Sequence, residues 1–163
     1  MKIFFIVSMF TIFTLTTNFL LAAEKKPMTT AQKLEFDERS KDINVRDGSG
    51  NSDMKFHCGF TIPVSFEPEI MRVWEAQNGD GAAYCAFSRY GLKALCENGS
   101  DAEKAAYKKI LKEKIKKIHC YVADKPKAID VSYKDGTMKI GLGPKMNDNN
   151  IQGTVIEFVK ANF

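Results

Sequence analysis

The sequence predicts an α+β domain, in which helices pack on one face of an antiparallel sheet of about four strands. Three observations lead to this prediction. Apolar and polar residues alternate from residue 54 to residue 66, a hairpin pattern surrounds residues 135–136, and helical spacing recurs in three other segments. The chain of 163 residues also contains four cysteines, which predict two disulfides.

The longest alternating stretch, from Met54 to Phe66, predicts a half-buried strand. Its apolar phase consists of Met54, Phe56, Cys58, Phe60, Ile62, Val64 and Phe66. Alternate side chains of a strand point to opposite faces, so this row is expected to face the core. Pro63 falls in the polar phase and has no backbone donor, which indicates that the strand lies at an edge of the sheet.

Three segments have the spacing of amphipathic helices. Residues 82–96 and 151–163 each place apolar side chains along one stripe. Residues 101–116 do the same, and they follow a capping box formed by Ser100 and Glu103. These helices are expected to cover the apolar face of the sheet.

Asp135-Gly136 is a residue pair that favours a two-residue hairpin turn. Folding about this turn aligns three apolar pairs on one face: Tyr133 with Met138, Val131 with Ile140, and Ile129 with Leu142. The sequence therefore predicts the register of the hairpin as well as its existence.

Residues 1–23 have the features of a secretory signal peptide: a basic start, an apolar centre, and small residues at the end. The alternative is an uncleaved membrane anchor, because the apolar stretch is long enough to span a bilayer. Residues 24–53 are polar and are expected to form a flexible N-terminal arm. Residues 54–163 then form a single disulfide-linked domain, and the protein is expected to be secreted or periplasmic.

The predicted helix over residues 82–96 limits which cysteines can pair. Cys85 and Cys96 would lie roughly 16 Å apart along one helix, too far for a disulfide. Two antiparallel helices joined at residues 97–100 would place Cys96 near the turn and Cys120 closer to Cys85, so the expected bonds are Cys85 to Cys120 and Cys58 to Cys96. The alternative is Cys58 to Cys85 with Cys96 to Cys120.

The helix over residues 101–116 is rich in lysine. A basic face for an anionic lipid or glycan would include Lys104, Lys108, Lys109, Lys112 and Lys116. The other interpretation is that these lysines form the solvated side of an amphipathic helix. A net charge of only +4 and few interleaved aromatic residues argue against a nucleic-acid partner.

The pair His-Cys occurs twice, at His57-Cys58 and His119-Cys120. Neighbouring strand residues point to opposite faces, and the cysteines are expected to be in disulfides, so we expect no metal and no other cofactor. Ile118, Cys120 and Val122 alternate with polar residues and predict a further strand around His119. If this strand is a neighbour of the one predicted over residues 54–66, His57 and His119 form a surface pair on the outer face of the sheet.

The sequence contains no motif of a catalytic centre, such as Gly-x-Ser-x-Gly or His-Glu-x-x-His, and no evident small-molecule site. We therefore expect a small exported protein that acts by binding, not by catalysis. Its expected partner is another protein: an envelope partner if the source is bacterial, or a host factor if the protein is released as an effector or inhibitor. The alternative is an envelope-associated protein that binds an anionic lipid or glycan through the lysine-rich helix. An enzyme without a recognisable motif is a third hypothesis.

Overall fold

A computed structural model describes residues 27–45, 50–75, 80–125, 127–146 and 149–163. The predicted signal peptide, residues 1–23, lies outside them. The described elements are α1 (Thr30–Val45), α2 (Asn51–Cys58), β1 (Val64–Phe66), α3 (Pro68–Glu75), α4 (Gly81–Ala86), α5 (Ser88–Glu97), α6 (Asp101–Lys114), β2 (Lys117–Val122), β3 (Ile129–Lys134), β4 (Thr137–Leu142) and α7 (Asn149–Asn162). Thus the α+β class is confirmed. None of the helices in the described part of the chain is long and apolar enough to cross a bilayer.

The four strands form a mixed sheet in the order β1-β2-β4-β3. Strand β2 runs parallel to both of its neighbours, and only β3 and β4 are antiparallel. The prediction of an antiparallel sheet was therefore wrong. The reason is topological: helices α3 to α6 carry the chain from β1 to a parallel β2, and β4 inserts between β2 and β3.

The predicted hairpin is confirmed together with its register. Tyr133 lies opposite Met138, Val131 opposite Ile140, and Ile129 opposite Leu142. Asp135 and Gly136 have φ values of 47° and 79°, the left-handed conformation that a two-residue hairpin turn requires.

The predicted strand from residue 54 to residue 66 is a strand only over Val64–Phe66. Residues Asn51–Cys58 form helix α2 instead. Met54 and Cys58 are buried on one side of this helix, whereas 84% of Phe56 is exposed. Alternating residues also include positions four apart, so the same sequence satisfies a helical face, and tertiary contacts select the helix.

Both expected disulfides are present. Cys58 is bonded to Cys96 and links α2 to α5, with 5.3 Å between the Cα atoms. Cys85 is bonded to Cys120 and links α4 to β2, with 6.0 Å between the Cα atoms. The helix expected over residues 82–96 is divided at Phe87 into α4 and α5.

The core lies between the apolar face of the sheet and the helices. Helix α6 begins with the predicted capping box of Ser100 and Glu103, and its Leu111 is buried. The inner side chains of the sheet and the apolar stripes of the helices form one cluster, whose strand members include Val64, Phe66, Ile118, Cys120, Met138, Ile140 and Leu142. The opposite phase of these strands stays outside the core.

Helix α1 belongs to the segment 24–53 that was predicted to be a flexible polar arm, yet it packs against the domain. The ring of Phe36 lies 5.1 Å from that of Phe66, and Ile43 is buried. The Asn44 amide donates to the Val64 carbonyl (2.8 Å) and accepts from the Val64 N–H (2.9 Å). Composition did not indicate this docking, because polar side chains supply much of it.

Arg89 of α5 is fully buried and joins α5 to α1 and to the segment before β1. Its guanidinium donates to the carbonyls of Ile43 (2.7 Å) and Ile62 (2.9 Å), and to Oδ1 of Asn44 (2.7 Å). Burial lowers the pKa of Arg89 to about 10, so the side chain remains charged at neutral pH. Its hydrogen bonds therefore compensate for a buried charge.

We expect Arg89→Met to lower the free energy of unfolding by about 3 kcal/mol, because the variant keeps side-chain volume but removes these buried donors. The matched control is Arg72→Met. Arg72 forms a partly exposed ion pair with Glu69 (3.7 Å), so its loss should cost about 1 kcal/mol or less. Urea unfolding of the disulfide-bonded protein measures both. Equal losses would contradict the central role of Arg89.

Two glycines in helices should respond to alanine in opposite directions. A Cβ on Gly91 of α5 would lie 2.7 Å from the carbonyl oxygen of Gln152 in α7, so Gly91→Ala should separate the two helices and lower the Tm. A Cβ on Gly153 meets no atom within 4 Å. Gly153→Ala should therefore stabilise the protein by about 0.5–1 kcal/mol through helix propensity. Thermal unfolding distinguishes the two effects, and a neutral Gly91→Ala would refute the close α5–α7 contact.

Candidate functional site

The best candidate site is the polar face of the sheet, opposite the core, which we call the outer face. Strand alternation places the following residues on it: Ser65, Lys117, His119, Tyr121, Asp130, Ser132, Lys134, Thr137 and Lys139. All of these residues are exposed or half-buried. The outer face is thus a continuous polar surface that crosses all four strands.

The central row of the outer face consists of Ser65, His119, Lys139 and Ser132, which are cross-strand neighbours. Oγ of Ser65 lies 2.9 Å from Nδ1 of His119 and also donates to the Ile118 carbonyl (3.3 Å). This contact orients the imidazole on the sheet surface.

The pKa of His119 is lowered, first by desolvation. The cations of Lys117 and Lys139 lower it further, whereas Glu67 opposes the shift. His119 is therefore held as a neutral imidazole at neutral pH and contributes hydrogen bonding to the outer face without adding a charge.

Tyr121 covers a glycine of the neighbouring strand. A Cβ on Gly141 would lie 2.8–3.0 Å from atoms of the Tyr121 side chain, so the ring occupies the space that a larger residue would fill. Burial raises the pKa of Tyr121, and the negative charges of Asp130, Asp124 and Glu67 add to the shift. The phenol therefore stays protonated and offers a hydrogen-bond donor on this surface.

One end of the outer face meets the end of α6 in a cluster that we call the basic corner. Its members are Lys112, Lys114, Lys116, Lys117 and Lys134, and all five are exposed. The hairpin turn holds the cluster together: the N–H groups of Lys116 and Lys117 donate to the Gly136 carbonyl at 2.7 and 3.2 Å. Tyr133 Oη also donates to the Lys114 carbonyl at 3.1 Å.

The lysines expected to form one basic face do not share one environment. Lys104 is paired with Asp101 (2.7 Å), and with Lys108 it lines a groove beside α2. Lys109 is exposed on α6, whereas Lys112 and Lys116 belong to the basic corner. Lys116 lies beyond the end of the helix, and its Nζ donates to the Lys112 carbonyl.

The expected surface pair of His57 and His119 depended on two neighbouring strands, and this premise is wrong because His57 lies in helix α2. His57 Nε2 is 3.8 Å from a carboxylate oxygen of Glu97, at the groove that Lys104 and Lys108 line. His119 contacts Ser65 instead. Among the described residues the two histidines share no hydrogen-bond or ion-pair partner.

Both His-Cys cysteines are in disulfides, so neither Cys58 nor Cys120 is available as a metal ligand. No group of three or more potential ligands is arranged for a metal ion within the described ranges. The histidines therefore contribute to the surface as individual polar groups.

Sequence reasoning did not single out several outer-face residues, among them Ser65, Tyr121, Lys134 and Lys139. Each occupies the polar phase of a segment that was predicted to be a strand. The polar phase of these strands could have identified the residues as surface positions. Only the strand order β1-β2-β4-β3 shows that they lie next to one another.

Comparison with known proteins finds no matching family model, no similar curated protein and no similar solved structure.

The lowered pKa of His119 predicts a specific pH dependence of stability. Below about pH 6.5 the unfolded chain binds a proton at this site more readily than the native protein, so the free energy of unfolding should fall as the pH decreases. His119→Gln should reduce this fall between about pH 7.5 and pH 5. Urea unfolding at each pH measures the effect, and identical profiles for both proteins would contradict it.

Proposed function

We propose that this chain is a small exported binding protein, without catalytic activity, whose partner is another protein. The carrying observation is the outer face: four strands present a polar surface that lies opposite the core. The two disulfides support an oxidising compartment, such as the periplasm or the extracellular space.

The charge of the outer face defines the kind of partner that fits. Lys117 and Lys139 flank His119 and form no ion pair with any carboxylate in the described part of the chain. Unpaired lysines around a neutral imidazole favour a partner surface rich in Asp and Glu, which would be attracted over long range and pair on contact. The partner is therefore proposed to be an acidic protein surface.

The test is a charge reversal with a matched control. Lys117→Glu/Lys139→Glu should abolish the capture of exported proteins that the wild type captures, because it places like charges against an acidic partner. Lys33→Glu/Lys55→Glu changes the net charge equally at exposed positions outside the outer face, and should retain capture. Quantitative mass spectrometry of captured proteins compares the two variants. Equal loss or equal retention in both variants would exclude the outer face as the binding surface.

A second candidate is binding to an anionic lipid or glycan of the cell envelope. Lys109 and Lys112 on α6 are exposed, and Lys116 extends this surface into the basic corner. None of these three lysines forms an ion pair with a carboxylate among the described residues. An exposed lysine cluster of this kind favours salt-sensitive association with an anionic surface.

Sedimentation with lipid vesicles distinguishes binding to an anionic lipid from binding to a protein partner. Under the second candidate, the protein sediments with phosphatidylglycerol vesicles at low salt, and Lys109→Glu/Lys112→Glu/Lys116→Glu removes this association. Lys33→Glu/Lys41→Glu/Lys55→Glu is the control of equal charge. Equal binding by both triple variants would exclude the lysine-rich helix as the lipid contact.

A further inference from the structure

The two edge strands of the sheet differ in whether their outward backbone groups are hydrogen-bonded. At the β1 edge, the Asn44 amide bonds both the N–H and the carbonyl of Val64, as a neighbouring strand would. At the other edge, β3 pairs with β4 alone in the described part of the chain. An edge strand of six residues without proline or an irregular register is a template for pairing with another strand.

The hydrogen-bond phase shows which groups of β3 face the open edge. The Gly143 N–H donates to the Ala128 carbonyl at 2.8 Å, so Ala128 is a hydrogen-bonded position of the antiparallel ladder. Bonded and non-bonded positions alternate, so Asp130, Ser132 and Lys134 also point their backbone groups toward β4. The backbone groups of Ile129, Val131 and Tyr133 are therefore directed outward, available to a new strand.

We propose that β3 pairs with β3 of a second copy of this chain, antiparallel, about a twofold axis at Ser132. In this register Asp130 lies opposite Lys134 of the second copy, twice by symmetry, and Val131 lies opposite Tyr133. The register also agrees with the hydrogen-bond phase, because the outward-directed residues 131 and 133 face each other across the new ladder.

Charge complementarity favours a second copy over an unrelated strand. Within its own sheet, Asp130 lies opposite Gly141 and Lys134 opposite Thr137, so neither charge has a charged cross-strand neighbour there. Charges on an edge strand normally oppose pairing, because like charges meet. Here the two opposite charges are placed symmetrically around Ser132. In the self-paired register, Asp130 of each copy therefore lies opposite Lys134 of the other copy and attracts it.

The dimer has a geometric consequence for binding. The axis is perpendicular to the sheet, so the outer faces of both copies lie on the same side of one eight-stranded sheet. A partner with two acidic patches would then bind both copies at a high effective concentration. The proposal itself does not depend on the proposed function, because self-association is measured without any partner.

Sedimentation equilibrium of the disulfide-bonded protein tests the dimer. Asp130→Lys places lysine opposite lysine at both symmetry-related positions and should raise the dissociation constant of the dimer about tenfold or more. Lys134→Asp should do the same by juxtaposing two carboxylates. The double variant Asp130→Lys/Lys134→Asp restores opposite charges and should restore the dimer, whereas Glu113→Lys on the exposed side of α6 should leave it unchanged.

A cysteine at Ser132 tests the register. Ser132 faces itself across the axis at a non-hydrogen-bonded position, with an expected Cα separation of about 4.5 Å, within the range of a disulfide. Ser132→Cys should therefore form a covalent dimer under mild oxidation. Asp130→Cys is the matched control and should not, because its symmetry mate lies four residues away along the ladder.

The outcomes decide the proposal. A wild type that remains monomeric up to the highest soluble concentration overturns it. So does a dimer that tolerates Asp130→Lys, or one that the double variant fails to restore while its circular dichroism is unchanged. Equal cross-linking of the two cysteine variants refutes the register and therefore the twofold axis at Ser132.

Discussion

The guanidinium of Arg89 connects three parts of the chain that are distant in sequence. From the central helix α5 it bonds the carbonyl oxygens of Ile43 and Ile62 and the side chain of Asn44. Arginine suits this position because it offers five donors in a rigid plane. Asn44, held in this way, completes the hydrogen bonds of Val64 at the β1 edge. The docking of α1 and the closure of that edge therefore both depend on one buried cation.

The two disulfides also connect elements of the helical layer, which packs on the core side of the sheet. One joins α2 to α5, and the other joins α4 to β2, so both lie on the core side of the sheet. The Cys85–Cys120 disulfide fixes the helical layer to β2, and Arg89 links α5 to α1 and to the segment before β1. The polar residues of the outer face lie on the opposite side of the sheet and take no part in this attachment.

The two edges of the sheet differ in their hydrogen bonding and in their charge. The β1 edge is closed by Asn44. The β3 edge carries an acidic and a basic residue, Asp130 and Lys134, placed evenly about Ser132. The outer face lies between these edges and carries the lysines and His119. The proposed self-association uses Asp130 and Lys134 at the β3 end of the outer face. The proposed partner contacts, Lys117 and Lys139, lie on β2 and β4.

The sequence by itself determined the features that depend on local geometry or simple distance limits. These include the hairpin register about Asp135-Gly136, the N-cap of α6 at Ser100, and the exclusion of a bond between Cys85 and Cys96. It did not determine that Asn51–Cys58 is helical, because residues four apart satisfy both a strand phase and a helix face. The parallel pairing of β2 with β4, the role of Arg89 and the contact of Ser65 with His119 were decided only by tertiary structure. Each of these joins residues separated by many positions along the chain, and no local pattern specifies which distant segments become neighbours.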